Sequence, residues 1–171
     1  MPDAQSDPVI IYTDGCAIPN PGDGGWAAIL LWREHRREMT GQMRDTTNNR
    51  MEMLAAISAL EALKRPCSVI LYTDSEYLRL GITQWSANWI RRNWMTAAKE
   101  PVKNVDLWKR LLAAVERHNG ETTGVEWRWL KGHAGNTKNE RADVLASNAA
   151  RSVTYADPID VAAPIASPKS Q

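Results

Sequence analysis

Two short segments of this chain end alike. Ile11-Tyr12-Thr13-Asp14 and Leu71-Tyr72-Thr73-Asp74 are each a β-branched and aromatic run that stops at an aspartate. The chain then breaks away through Gly15 in one case and Ser75 in the other. Open α/β sheets carry their chemistry at the carboxyl ends of strands. If the two strands are parallel neighbours, Asp14 and Asp74 emerge at one edge of the sheet. Carboxylates paired in that way repel each other unless a cation lies between them. The spacing predicts a metal site.

Two further acids fit the same point. Glu52 falls in the first turn of a helix expected over 49–64, and Ala55, Ala56, Ala59, Leu60 and Leu63 continue its face. That stripe packs on the sheet, where a carboxylate costs stability unless it is paired or bound to a cation. An acid at the amino end of a helix is also favoured by the helix dipole alone. Asp143 shares its face with Ala146, Ser147 and Ala150 in the last expected helix. A set of hard oxygen donors favours Mg²⁺ or Mn²⁺ over zinc.

His133 stands in Lys131-Gly132-His133-Ala134-Gly135. A histidine flanked by glycines after a strand can relay protons to water or to a leaving oxygen; the alternative is a loop histidine with no task. Trp85, Trp89 and Trp94 are interleaved with Arg91 and Arg92 and followed by Lys99 and Lys103, with Glu100 as the only acid of the basic stretch. Cations mixed with aromatics suit a phosphate backbone. The competing account is a solvated basic loop on a tryptophan-packed base.

The elements that must position these groups follow from pattern. Strands are expected over 9–13, 26–32 and 38–43, with a turn-rich loop of Pro19, Pro21, Gly22, Gly24 and Gly25 between the first two. Their short connections make an antiparallel meander. The helix over 49–64 is stopped by Pro66, and a strand over 68–73 follows. A strand–helix–strand passage favours parallel pairing with the first strand. Short helices are expected up to Gly81 and near 83–90, then an irregular stretch, then a helix over 105–118. Val125, Trp127 and Trp129 alternate with Glu126 and Arg128, marking a half-buried strand. Thr137-Lys138-Asn139-Glu140 fits a capping box that opens a last helix ending at Ala150 or Arg151. The expected architecture is α/β, a mixed five-stranded sheet whose first three strands are antiparallel, flanked by helices. Trp26, Trp32, Trp108, Trp127 and Trp129 are expected in the core.

Bulk composition narrows the class. The 171 residues suffice for one domain. A net charge of +1 means that nucleic-acid affinity must come from a local patch. Two cysteines make no disulfide framework, and no Cys/His spacing resembles a zinc site. The polar, acidic start is unlike a signal peptide, and no apolar run approaches the ~20 residues of a membrane span. A cytoplasmic protein is expected, with an extension over 1–7, a catalytic domain over 8–151 and a disordered Ala/Pro/Ser tail over 152–171. No separate module is expected before the first strand.

The ordered blocks are recognisable. Tyr12-Thr13-Asp14-Gly15 with Asn20-Pro21-Gly22, Thr46-Thr47-Asn48-Asn49-Arg50-Met51-Glu52, Thr73-Asp74-Ser75 and Gly81-Ile82-Thr83-Gln84-Trp85 come first. Pro101-Val102-Lys103-Asn104-Val105-Asp106-Leu107-Trp108, Lys131-Gly132-His133-Ala134-Gly135 and Asn139-Glu140-Arg141-Ala142-Asp143 complete them. Over roughly residues 8–150 the chain resembles type 1 ribonuclease H, close to the bacterial stand-alone members.

The resemblance implies an endonuclease that hydrolyses the RNA strand of RNA–DNA hybrids, leaving 5′-phosphate and 3′-hydroxyl ends. Asp14, Glu52, Asp74 and Asp143 match acids that hold two Mg²⁺ ions, Mn²⁺ being the alternative, in two-metal-ion catalysis. His133 matches a histidine that assists proton transfer or product release. Asn20, Asn48 and Asn49 match positions that read the minor groove, where the 2′-hydroxyl distinguishes RNA from DNA, and Thr47 matches one that grips a DNA phosphate. The stretch with Trp85, Trp89, Arg91, Arg92 and Trp94 matches the protrusion that bacterial members use to hold the hybrid. A monomer is the default expectation.

Departures mark what is particular to this chain. Glu76 stands where a neutral Gln is common, beside the metal-binding acids. Met95, Ala98 and Glu100 make the protrusion less basic, and Asn119 to Gly124 looks like a lengthened loop. Three other functions compete. A catalytically silent hybrid-binding module has no need for an acid on the apolar face of Glu52. A DNA-directed resolvase or exonuclease is disfavoured by the Asn-rich groove segment and the tryptophan stretch. A small-nucleotide enzyme would need a phosphate-cradling glycine motif, which is missing.

Overall fold

A computed structural model describes residues 7–120, 122–131 and 137–155, with side chains up to residue 152. The chain runs β1 (Val9–Ile18), β2 (Gly22–Trp32), β3 (His35–Thr46), α1 (Asn48–Ala62), β4 (Val69–Thr73), α2 (Glu76–Leu80), a π-helical turn (Gly81–Trp85), α3 (Ser86–Arg91), α4 (Val105–Glu116), β5 (Val125–Trp129) and α5 (Thr137–Tyr155). The five strands form one sheet in the order β3-β2-β1-β4-β5. The meander β1–β2–β3 is antiparallel, whereas β1–β4 and β4–β5 are parallel. This is the mixed architecture that the sequence predicts.

Helices cover both faces of the sheet. Gly15 pairs with Trp26 and faces α1, while Cys16 pairs with Gly25 and faces α5; alternate residues of a strand point to opposite sides. The core lies on the α1 side, where Ile11, Leu30, Ile57, Leu60, Leu71, Trp108 and Leu111 interlock. Residues from Met51 to Leu60 of α1 are buried almost without a break. The helix is thus covered on nearly every side, by the sheet on one flank and α4 on another.

Several boundaries differ from the sequence expectation. The second strand starts at Gly22, so Gly22, Gly24 and Gly25 belong to β2 rather than to a loop. The reason is the last helix: a Cβ on Gly25 would lie 2.5 Å from the carbonyl oxygen of Ala146 and would meet the Ala150 amide. The glycines are there for close approach, not only for turning. The edge strand β3 is twice the expected length, its polar, exposed residues hiding the alternation. The segment from Glu76 to Arg91 is continuously helical through its π turn. Gly81 accommodates the Trp108 ring there. The last helix continues to Tyr155, so 152–155 are helical where the composition predicts a disordered tail. No proline or glycine intervenes before Pro158, and Ser152 Oγ bonds to the Asn148 carbonyl at 3.0 Å.

Trp108 is fully buried, and Trp26, Trp32 and Trp127 are partly buried against the core. Trp129 is not a core residue: it is 41% exposed, because β5 is the sheet edge and its ring is covered by the Arg79 guanidinium, 5.2 Å away, rather than by apolar side chains. Among the described residues no helix is long and apolar enough to cross a membrane.

Candidate active site

The site begins with strand register. Tyr12 pairs with Tyr72 in the parallel β1–β4 ladder, and their rings stack at 4.7 Å. Asp14 and Asp74 each lie two residues beyond that pair, so they stand at the same level where the β1–β4 ladder ends. Strand β1 itself runs on to Ile18 with Asp14 paired to Ala27, whereas the sequence predicts a strand that stops before Asp14. Asp14 accepts the Gly15 amide at 2.8 Å. Asp74 is held through its backbone: the Trp129 indole nitrogen donates to its carbonyl at 3.3 Å. Ser75 N donates to Thr73 Oγ1 at 3.0 Å, and Ser75 Oγ then accepts the Leu78 amide at 3.1 Å, capping α2.

The third carboxylate comes from α1. Thr47 caps this helix by accepting the Arg50 amide at 3.2 Å, which sets Glu52 in its first turns. A Cβ on Gly15 would lie 2.5 Å from the Glu52 amide nitrogen; only glycine lets the helix rest so close to the strand. One carboxylate oxygen from each of Asp14, Glu52 and Asp74 then lies within 4.8 Å of the others.

Asp143 approaches from α5 and lies close enough to Asp14 to help raise its carboxyl. It stands on the Asp14 side of the cluster. Its helix is tied to the edge strand by Arg141, which reaches Glu38 at 3.0 and 3.1 Å. The three clustered acids thus come from β1, α1 and the junction after β4, with Asp143 of α5 near Asp14.

Electrostatics show what this proximity costs. Burial, then the charge of Asp74, pushes the Asp14 carboxyl up to about 8, against the opposing Gly15 hydrogen bond. Glu52 is 9% exposed, and burial followed by the charges of Asp14 and Asp74 holds it well above the usual carboxylate range. Glu52 Oε1 is buried without a hydrogen-bond partner. A buried, unpaired carboxylate oxygen facing two more carboxylates is what a cation would satisfy. The three acids could hold a divalent metal ion, and the donors are all oxygen. Cys16 adjoins the cluster, its Sγ 4.0 Å from Ser147 Oγ; burial raises its thiol, and the charges of Asp14 and Asp143 add to this.

The other candidate residues fall into two groups. Asn20, Thr47, Asn48 and Asn49 converge where the β1–β2 turn meets α1. Asn48 Oδ1 accepts the Ala17 amide at 2.6 Å, and Asn20 Oδ1 accepts the Asn48 amide at 3.1 Å. Asn49 is exposed. Trp85, Trp89 and Trp94 form a ladder, with ring centroids 5.8 and 6.1 Å apart, that rests on Trp108 through Trp89 at 5.2 Å. They are half-buried, so much of their surface serves packing. Arg91 and Arg92 are exposed beyond this base, Arg91 bonding to Asn88. Glu76 is exposed beside Asp74 and pairs with Arg79 at 3.6 Å. His133 lies outside the described residues.

Sequence reasoning missed Trp129 and Gly15 as supports of the acids. Their contacts join residues far apart in the chain or depend on the absence of a side chain, so periodicity carries no trace of them.

The ribonuclease H family model matches residues 6–151. The chain is 58% identical to a ribonuclease H of Granulibacter bethesdensis over 145 residues, 85% of this chain and 93% of that protein. It is 59% identical to one of Alcanivorax borkumensis over 139 residues, 81% and 89% of the respective chains. Among solved structures it is similar to LC9-RNase H1, described as a type 1 RNase H with the type 2 active-site motif. That likeness has a TM-score of 0.75 at 32% identity and covers 85% of this chain and 73% of that one.

Proposed function

The chain belongs to the ribonuclease H family, and from that premise we propose that it hydrolyses the RNA strand of RNA–DNA hybrids, leaving 5′-phosphate and 3′-hydroxyl ends. The observation that carries the proposal is the convergence of Asp14, Glu52 and Asp74, with a buried Glu52 oxygen lacking any partner. The donor chemistry fits divalent cations, and we assign two Mg²⁺ ions, with Mn²⁺ as an alternative, to Asp14, Glu52, Asp74 and Asp143. When bound, such ions lower the pKa of an attacking water and neutralise charge on the phosphate and leaving oxygen.

The protein's own groups do the rest. Burial and the neighbouring acids raise the Asp14 and Glu52 carboxyls, so cation binding and ionisation of these two groups are coupled. Asn20, Asn48 and Asn49 face the minor groove, where the ribose hydroxyls of the RNA strand are presented. Thr47, at the start of α1, grips a phosphate of the DNA strand. Glu76 lies beside Asp74, within reach of the RNA strand. Arg91 and Arg92, on the tryptophan base of Trp85, Trp89 and Trp94, hold the hybrid further along. His133 moves a proton or helps product leave. The protein acts as a cytoplasmic monomer in this reading.

The test is cleavage of an end-labelled hybrid with Mg²⁺ beside single-stranded RNA, duplex RNA and duplex DNA. Cutting confined to the RNA strand of the hybrid, and abolished in Asp14→Asn, is the expected result. A hybrid that binds but stays intact would turn the reading towards a silent binding module. Cutting of duplex DNA would overturn the substrate assignment.

A further inference from the structure

A set of hydrogen-bonded side chains joins the start of α1 to the start of α4. Arg50 holds Asp106 with both terminal nitrogens, Nη2 to Oδ2 at 2.8 Å and Nη1 to Oδ1 at 3.1 Å. Nη1 also donates to Asn104 Oδ1 at 3.1 Å. Asn104 Nδ2 donates to the Tyr77 hydroxyl at 3.1 Å, and that hydroxyl accepts from the Trp108 indole at 3.2 Å as well. The Tyr77 ring meets Trp85 edge-on at 6.0 Å and Trp108 at 5.3 Å. The path is continuous from the groove segment at Thr47, Asn48 and Asn49 to the tryptophan ladder beneath Arg91 and Arg92.

Asn104 is where the arrangement overrides local preference. It is the N-cap of α4 with left-handed backbone, φ 60°. An asparagine at that position ordinarily turns its side chain onto the helix's own amides, yet no such bond is made. A left-handed non-glycine residue costs free energy and persists where the surroundings demand it. Here the amide is held at both ends instead, its oxygen by Arg50 and its nitrogen by Tyr77.

We propose that these side chains form a clasp through which the groove segment and the basic projection engage a hybrid as one rigid surface, with Tyr77 as its positioning residue. The inference rests on the reading of those two regions as hybrid-binding. On a rigid body, engaging the first region presents the second at high effective concentration, and a loosened joint lowers that concentration. Breaking the clasp therefore reduces what the projection contributes to affinity without touching the projection itself.

The experiment is a double-mutant cycle on hybrid affinity, measured in EDTA so that nothing is cut. Removal of both arginines (Arg91→Ala with Arg92→Ala) is expected to weaken binding about tenfold in the wild type. In Tyr77→Phe the same removal should cost only about twofold. Equal fold-changes in the two backgrounds overturn the clasp. Asp106→Asn opens it at an end whose side chain is 63% exposed, and must reduce the cost in the same way. That variant keeps the test decisive if Tyr77→Phe does not fold. A wild type that binds hybrid no better than single-stranded RNA overturns the reading of the two binding regions, and the clasp with it. Tight hybrid binding with unchanged arginine costs removes the clasp alone.

Discussion

Gly15 and Glu52 touch through their backbones: a Cβ on the glycine would lie 2.5 Å from the glutamate's amide nitrogen. The acid that approaches from a helix can join the acids on strands only because the residue after Asp14 has no side chain. The cluster is therefore a property of how closely α1 rests on β1, as much as of the acids themselves.

Gly15→Ala should consequently damage the site more than the fold. Forcing a methyl group into backbone costs about 1–3 kcal/mol of stability, readable in urea unfolding. Displacement of Glu52 should lower hybrid cleavage at least tenfold at a temperature where the variant is fully folded. Wild-type turnover in a folded Gly15→Ala protein would show that this close approach does not position Glu52.

The acid cluster should make the metal-free protein less stable as pH rises. Asp14 sits at about 8 in the folded chain against an ordinary value of 3.8, and Glu52 is raised as well. A carboxyl whose folded pKa is raised contributes stability that is complete below its unfolded value and is lost as pH climbs through the folded one. Unfolding in EDTA between pH 4 and 8 should show this decline. Asp14→Asn should recover on the order of 1–3 kcal/mol at pH 8, and millimolar Mg²⁺ should flatten the wild-type profile. Identical pH profiles for wild type and Asp14→Asn would contradict the coupling.

His118 gives the opposite dependence at the other end of the molecule. It is fully buried, its Nδ1 accepts the Cys67 amide at 2.9 Å, and its Nε2 lies 3.2 Å from the Leu60 carbonyl. That pattern requires a neutral ring with the hydrogen on Nε2, and burial holds its pKa below the usual 6.5. Its stabilisation is complete above that value and fades as pH falls towards the folded pKa. Comparing urea unfolding of wild type and His118→Gln from pH 7 to 5 isolates the contribution, and parallel profiles would remove it.

Arg91 and Arg92 should act on affinity through phosphates. Replacing both with Ala should weaken hybrid binding and lessen the slope of log affinity against log salt by roughly 0.9 for each phosphate no longer neutralised. An unchanged slope would leave the two arginines as ordinary surface charges.

His133→Ala should slow turnover without abolishing it, by about 10²-fold if the residue transfers a proton in the rate-limiting step. Single-turnover and steady-state rates separate its effect on chemistry from one on product release, and a wild-type rate in both would return it to an ordinary loop histidine.

Much of this is legible in the chain itself. The β-branched and aromatic runs before Asp14 and Asp74 specify strands that carry acids, and the helical crossover between them makes those strands parallel; that β1 continues past Asp14 to Ile18 is decided by its pairing with β2. The helical faces of Glu52 and Asp143 can likewise be read from the small residues that follow them. Such patterns are local: they state an element's type and which side of it is buried. They do not state how far one element stands from another. The extension of β2 through Gly22, Gly24 and Gly25 depends on α5 lying against it, and the exposure of Trp129 depends on β5 being the sheet edge. The Arg50–Asn104–Tyr77 hydrogen bonds span 54 and 27 residues of sequence. These features are decided only by packing, because a hydrogen bond between distant residues, or a gap too small for a methyl group, has no counterpart in periodicity. The sequence by itself determined which groups could do the chemistry and on or beside which elements they stand. The tertiary structure decided that they meet, since only the close packing of helices on glycine-bearing strands brings the carboxylates within one ion's reach.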